Sequence, residues 1–148
     1  MPRPRSGERS LRSSGELLKV AVYDFVSAEQ TTAPRLAPFR YATHQVVVSG
    51  THWVDVLSPT ANEAQAVRRV QRALGVTPGQ TMVFGDFLND LEMMDAATYS
   101  FAMANAHPLL KERANWVAPN NNANGVVRTI RTVLGLDPGP GDPPRTRT

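Results

Sequence analysis

Thr81-Met-Val-Phe-Gly-Asp-Phe-Leu-Asn-Asp90 decides the fold of this chain. A short apolar run, Met82–Phe84, stops at Gly85-Asp86 and meets a second carboxylate four residues later. A strand that turns directly into a helix leaves such side chains at its carboxyl end, where open α/β sheets bind ligands. Two carboxylates and a carboxamide gathered there are hard oxygen donors of the kind that suit magnesium. Asp and Asn are also common turn and cap residues, so the loop by itself is open to a purely structural reading.

Outward from this loop the pattern alternates. Upstream, Ala66, Val67, Val70, Ala73 and Leu74 recur at helical spacing, with Arg68, Arg69 and Arg72 on the wet side and Gly75 and Pro78 closing the helix. Downstream the spacing predicts a short helix at 91–97, a strand at Tyr99–Met103, a helix near Pro108–Ala114, a strand at Trp116–Ala118 and a last helix. Val126, Val127, Ile130, Val133 and Leu134 are the expected buried face of that helix. His107-Pro108 reads as a helix start and Asn120–Asn122 as a loop and cap. Such alternation predicts an α/β fold with a parallel sheet covered by helices on both sides.

The N-terminal part has another texture. Leu17–Tyr23 reads as a strand, and the segment with Pro34 and Pro38 holds at most a short broken helix. Gln45–Ser49 and His52–Leu57 flank Gly50-Thr51, a hairpin signature. Residues 1–15 and 137–148 are rich in Arg, Ser, Pro and Gly, have little to bury and read as disordered.

Composition narrows the function classes. The chain of 148 residues contains no cysteine, which excludes thiolate metal sites and cysteine nucleophiles and fits a cytoplasmic setting. No apolar stretch approaches the roughly 20 residues that span a bilayer, so no membrane partner is expected. The net charge of +3 resides in Arg3, Arg5, Arg9 and Arg12, while residues 15–136 are balanced. Without a basic stripe on the folded body, nucleic-acid binding is not expected. His44, His52 and His107 lack metal-ligand spacing, and Met93, Met94, Trp53 and Trp116 read as packing residues.

Three segments in order, LGVTPGQTMVFGDFLNDLEMMDAA (74–97), YSFAMANAHPLLKERANWVAP (99–119) and NNNANGVVRTI (120–130), resemble the C-terminal half of a Cof-type haloacid dehalogenase-like hydrolase. The resemblance implies a Rossmann-like core, here its C-terminal part at 59–136, preceded by the remnant of an α+β cap at 16–58. It also implies a magnesium-dependent phosphatase of a small phosphorylated metabolite that works through an aspartyl-phosphate. On that pattern Asp86 is a direct magnesium ligand, Asp90 a ligand directly or through water, Asn89 a partner that orients the loop or the phosphate, and Asn105 a neighbour of the substrate phosphate. Lys111 stands where the family often has a lysine, and a solvated helix face is the competing role.

Two departures count against turnover. The family's phosphate-binding lysine falls on Glu63, for which Thr60-Ala-Asn-Glu63 offers a structural reading as a capping box. No Asp-x-Asp nucleophile signature occurs, and Asp24, with Val26 in the place of the general acid, is a poor substitute. The expectation is therefore an inactive chain, a truncated or misread product. The alternative is a non-catalytic module that binds a protein partner or its own copy through an exposed sheet edge.

Overall fold

The computed structural model of the chain describes residues 18–39 and 44–136. The two tails read as disordered lie outside the described residues.

The first layer is an antiparallel sheet in the order β1-β3-β2, built from β1 (Lys19–Tyr23), β2 (Gln45–Gly50) and β3 (Trp53–Leu57). β2 and β3 form the hairpin expected around Gly50-Thr51, with a register shift between Val48 and Gly50. Between β1 and β2 the chain makes a π turn (Ala28–Thr32) and one turn of α-helix, α1 (Ala33–Leu36), with Pro34 in its first turn. Ala28, Val46 and Val54 are the buried centre of this layer, with Leu36 packed beside them.

Asp24 holds the π turn. Its Oδ1 accepts from the backbone N–H of Val26 (2.7 Å) and Ser27 (3.1 Å), and its Oδ2 accepts from the hydroxyls of Thr31 and Thr32, the latter at 2.6 Å. The residue is only 8% exposed, and both carboxylate oxygens are committed, so Asp24 is a capping group. Donation from Thr31, then Thr32 and Val26, holds its carboxyl well below the usual carboxylate range. A depressed folded-state value stabilises the fold above the ordinary carboxylate pKa of about 4, and that contribution fades as the pH falls below it. Asp24→Ala is therefore expected to lower the thermal midpoint at pH 7 and to narrow the gap to wild type at pH 3, as read by calorimetric scans at both pH values.

The second layer is a parallel sheet in the order β4-β5-β6, from β4 (Met82–Gly85), β5 (Tyr99–Met103) and β6 (Trp116–Ala118). Helix α2 (Glu63–Leu74) precedes it, and α3 (Leu91–Met94), α4 (Pro108–Arg113) and α5 (Gly125–Val133) follow the successive strands. Val83, Met94, Phe101, Ala102, Met103, Leu110 and Ala118 form the core, which confirms Met94 as filler, with Met93 packed at its edge. Buried Gln71 ties α2 to this layer by donating from Nε2 to Thr81 Oγ1 (3.0 Å) and the Ala96 carbonyl (2.7 Å).

Two expected burials fail. On α2 the faces turned inward belong to Ala64 and Gln71, with Val67 half-buried, while Ala66 and Ala73 are exposed and Val70 and Leu74 are 56% and 70% exposed. On α5 only Gly125 is buried; Val126, Val127 and Val133 are exposed and Leu134 is 61% exposed. The apolar stripes exist, but only Val67 on α2 and Ile130 on α5 are half-buried; the rest of each stripe is exposed. Strand alternation puts Met82, Phe84, Tyr99, Phe101 and Trp116 on one sheet face. Phe84 stacks on Phe101, and Trp116 stacks on both Phe101 and Tyr99, with Tyr99 and Trp116 on the open side of the row. Trp53 packs edge-on against Tyr23 in the first layer.

Candidate metal and phosphate site

β4 ends at Gly85, and the chain turns through Leu88–Asp90 into α3. Asp90 folds back over the strand end: its Oδ2 accepts from the backbone N–H of Asp86 at 3.0 Å. Gly85 makes that approach possible. A Cβ at this position would stand 2.7 Å from Asp90 Cβ and 2.8 Å from its Oδ2. The Gly-Asp pair of the sequence is thus one device, in which the missing side chain lets the second carboxylate reach the amide of the first.

Asp86 is exposed at the mouth of the loop. Its carbonyl accepts from the His107 N–H at 2.9 Å, which fixes this loop against the loop after β5. Burial pushes the Asp90 carboxyl up; the Asp86 N–H opposes this, and the charges of Glu63 and Asp86 reinforce it. Asn89 Nδ2 lies 3.3 Å from Glu63 Oε1 and 3.3 Å from Asp90 Oδ1, so a single amide spans two carboxylates.

Glu63 corrects a sequence expectation. The N-cap of α2 is Asn62, whose side chain accepts from the Gln65 N–H at 2.8 Å, and the Thr60–Glu63 capping box is absent. With the cap filled, the Glu63 side chain turns to the loop and meets Asn89. Asn105 sits elsewhere on the rim: its Oδ1 accepts from the Asn121 N–H at 3.4 Å, joining the loop after β5 to the turn before α5. His107 caps α4 by accepting from the Leu109 N–H at 3.3 Å, and Asn120 caps the next turn through the Ala123 N–H at 2.8 Å. Lys111 lies on α4, half-buried.

Sequence reading missed the link between the layers. β2 lies against the Leu88–Asp90 turn. A cleft of about 470 Å³ runs between them, lined by Lys19, His44, Asp55, Glu63 and Asn89 among others. Lys19 and Asp55, both on the sheet wall of this cleft, pair at 3.1 Å. Their place two positions apart on paired antiparallel strands, on one face of that sheet, was the signal that could have found them.

The donor set fits a hard cation in part. Asp86, Asp90 and the Asn89 amide offer oxygen, and magnesium commonly takes one or two carboxylates and completes its shell with water and substrate. Among the described residues no group of three or more His, Cys, Asp or Glu side chains is placed to hold a metal. No helix of the described residues is long and apolar enough to cross a membrane.

Comparison with known proteins gives this geometry its family. The chain is 36% identical over 88 residues to the 5-amino-6-(5-phospho-D-ribitylamino)uracil phosphatase YbjI of Escherichia coli, covering 60% of this chain and 32% of that protein. It is likewise 36% identical over 78 residues to the phosphatase of the same name, YcsE, of Bacillus subtilis, covering 53% and 31%. A haloacid dehalogenase-like hydrolase structure from Bacillus subtilis superposes with a TM-score of 0.71 at 25% identity, over 84% of this chain and 44% of that one. A Streptococcus mutans structure does so at 0.72 and 27%, over 80% and 45%. The chain thus spans about a third of the length of these curated relatives. The haloacid dehalogenase-like hydrolase family model matches residues 8–130, and the chain belongs to that family.

Proposed function

We propose that this chain carries the metal-binding part of a magnesium-dependent phosphatase of small phosphorylated metabolites. Residues 59–136 are read as the C-terminal part of the hydrolase core and residues 16–58 as a cap remnant. The observation that supports this best is the Asp90 carboxylate folded over Gly85 onto the Asp86 amide, which sets two acids at the carboxyl end of β4. When bound, magnesium would supply charge stabilisation at a phosphoryl oxygen. Asp86 and Asp90 would hold it, Asn89 would orient the loop, and Asn105 would border the phosphate. Phosphatase names among the relatives support a phosphate monoester as substrate, and a cysteine-free, cytoplasmic protein fits the same reading.

Turnover by this chain alone is not part of the proposal. The sequence holds no Asp-x-Asp, and Asp24 is spent on capping. Phosphoryl transfer through a covalent intermediate needs a positioned nucleophile. The expected result is no magnesium-dependent release of phosphate from an aryl phosphate. Release that magnesium stimulates and that Asp86→Asn abolishes would restore the full enzyme reading.

The edge of β4, unpaired among the described residues, and the exposed Val70, Leu74, Val127 and Leu134 favour a second reading, a non-catalytic module that docks another chain or its own copy. Sedimentation equilibrium tests the self-association arm: a strict monomer at high concentration counts against it.

A further inference from the structure

We infer that Glu29 is a positioning residue for the Gly85–Asp90 turn, acting across the two layers through the ring of His107. The inference deepens the proposed function, since it rests on the reading of Asp86 as a metal carboxylate, and it concerns what holds the Asp86 backbone in place.

His107 is tied at four points. Its N–H donates to the Asp86 carbonyl at 2.9 Å, and its Nδ1 accepts from the Leu109 N–H at 3.3 Å. Its ring stands edge-on to Phe87 with centroids 5.5 Å apart, and its Nε2 lies 3.8 Å from Glu29 Oε2. A backbone N–H can only donate, so Nδ1 is the acceptor and the neutral ring carries its proton on Nε2, the atom nearest the Glu29 carboxylate. The cap of α4 thus selects the tautomer that offers a donor to the other layer.

Glu29 stands on a fixed base. It lies in the π turn Ala28–Thr32, which Asp24 pins through two backbone N–H groups and two threonine hydroxyls. The neighbouring Ala28 is fully buried, and its N–H donates to the Thr51 carbonyl of the hairpin at 2.8 Å. π turns are rare and recur at functional places. At 3.8 Å the carboxylate is an electrostatic neighbour of Nε2, too far for a direct hydrogen bond, and its half-exposed side chain closes that gap by rotation while the backbone stays put. A contact this exposed adds little stability; what it governs is orientation. With β2 against Leu88–Asp90 and His107 on the Asp86 carbonyl, the first layer holds the turn at both ends.

The test compares the full chain with E29A, E29Q and E112A at pH 8, above the ordinary histidine pKa of about 6.5; E112A removes an exposed carboxylate of α4 as a charge control. Thermal melts check that the folds match. Ring-nitrogen NMR shifts report the His107 tautomer, amide exchange reports residues 86–90, and calorimetry reports Mg²⁺ uptake. Wild type is expected in the Nε2–H form. In E29A a measurable share of the Nδ1–H form appears, exchange at 86–90 quickens about two- to fivefold, and Mg²⁺ uptake weakens by a similar factor. E29Q keeps an acceptor for Nε2–H and restores all three. A residue that merely stabilised its own turn would leave the ring tautomer unmoved. The inference is overturned by an E29A chain that matches wild type in tautomer and exchange, by an E112A chain that shows the same changes, or by an E29Q chain that behaves like E29A. No Mg²⁺ uptake by wild type overturns the metal reading, and the tautomer and exchange measurements then decide the link from Glu29 to the turn by themselves.

Discussion

Replacing Gly125 by alanine is expected to cost about 3 kcal/mol, or roughly 10 °C in thermal midpoint. Gly125 opens α5, and its N–H donates to the Asn120 carbonyl at 3.1 Å. A Cβ there would sit 1.8 Å from the Pro119 carbonyl oxygen and 2.9 Å from that of Asn120. Backbone is in the way, and no side-chain rotation relieves it. Because α5 buries little else, the chain has two ways to respond: unfold at lower temperature, or release α5 from β6. Either raises amide exchange across residues 126–133, and thermal melts separate the two. A variant that matches wild type in both would contradict the placement of α5.

The second large effect is expected at Gly85. In Gly85→Ala the new methyl displaces Asp90, strips the acceptor from the Asp86 N–H and splays the two acids. Misplacing a group that orients metal ligands costs about 10- to 100-fold in metal affinity. Overpacking should also lower stability by about 1–3 kcal/mol. Gly79→Ala is the control, since its Cβ would find Thr77 Oγ1 at an ordinary 3.7 Å. If the two variants bind Mg²⁺ equally well, Asp90 does not depend on the space at Gly85.

What could be read from the sequence follows a physical division. Strands bounded by turn residues were legible to within a residue or two: Tyr99–Met103 and Trp116–Ala118 stand as read, and the Gly50-Thr51 hairpin formed. Local chemistry of this kind needs no knowledge of the rest of the chain. The apolar stripes of α2 and α5 were equally legible, yet Leu74 and Leu134 are open. Periodicity states that a helix has an apolar face; it does not say what lies against it.

The site divides in the same way. Gly85, Asp86 and Asp90 converge because they lie within one turn of chain, so spacing alone brought them together. Asn105, expected beside the substrate phosphate, accepts from the Asn121 N–H and does not bond to the Gly85–Asp90 turn. Glu63 was misread, because Thr60 and Asn62 compete for the same N-cap and the sequence does not rank them; Asn62 won, and the carboxylate turned to Asn89. Asp24 carried a legible signal in retrospect. An Asp three residues before Ser27 and followed by Thr31 and Thr32 fits a turn cap as well as a strand end.

Calorimetric titration of the chain with Mg²⁺, beside Asp86→Asn and Asp90→Asn, tests the central claim most directly. Uptake by wild type at one site, lost in both variants while their melts stay cooperative, is the predicted result. No uptake by wild type, or uptake that both substitutions leave unchanged, would contradict the assignment of the Gly85–Asp90 turn as a metal site.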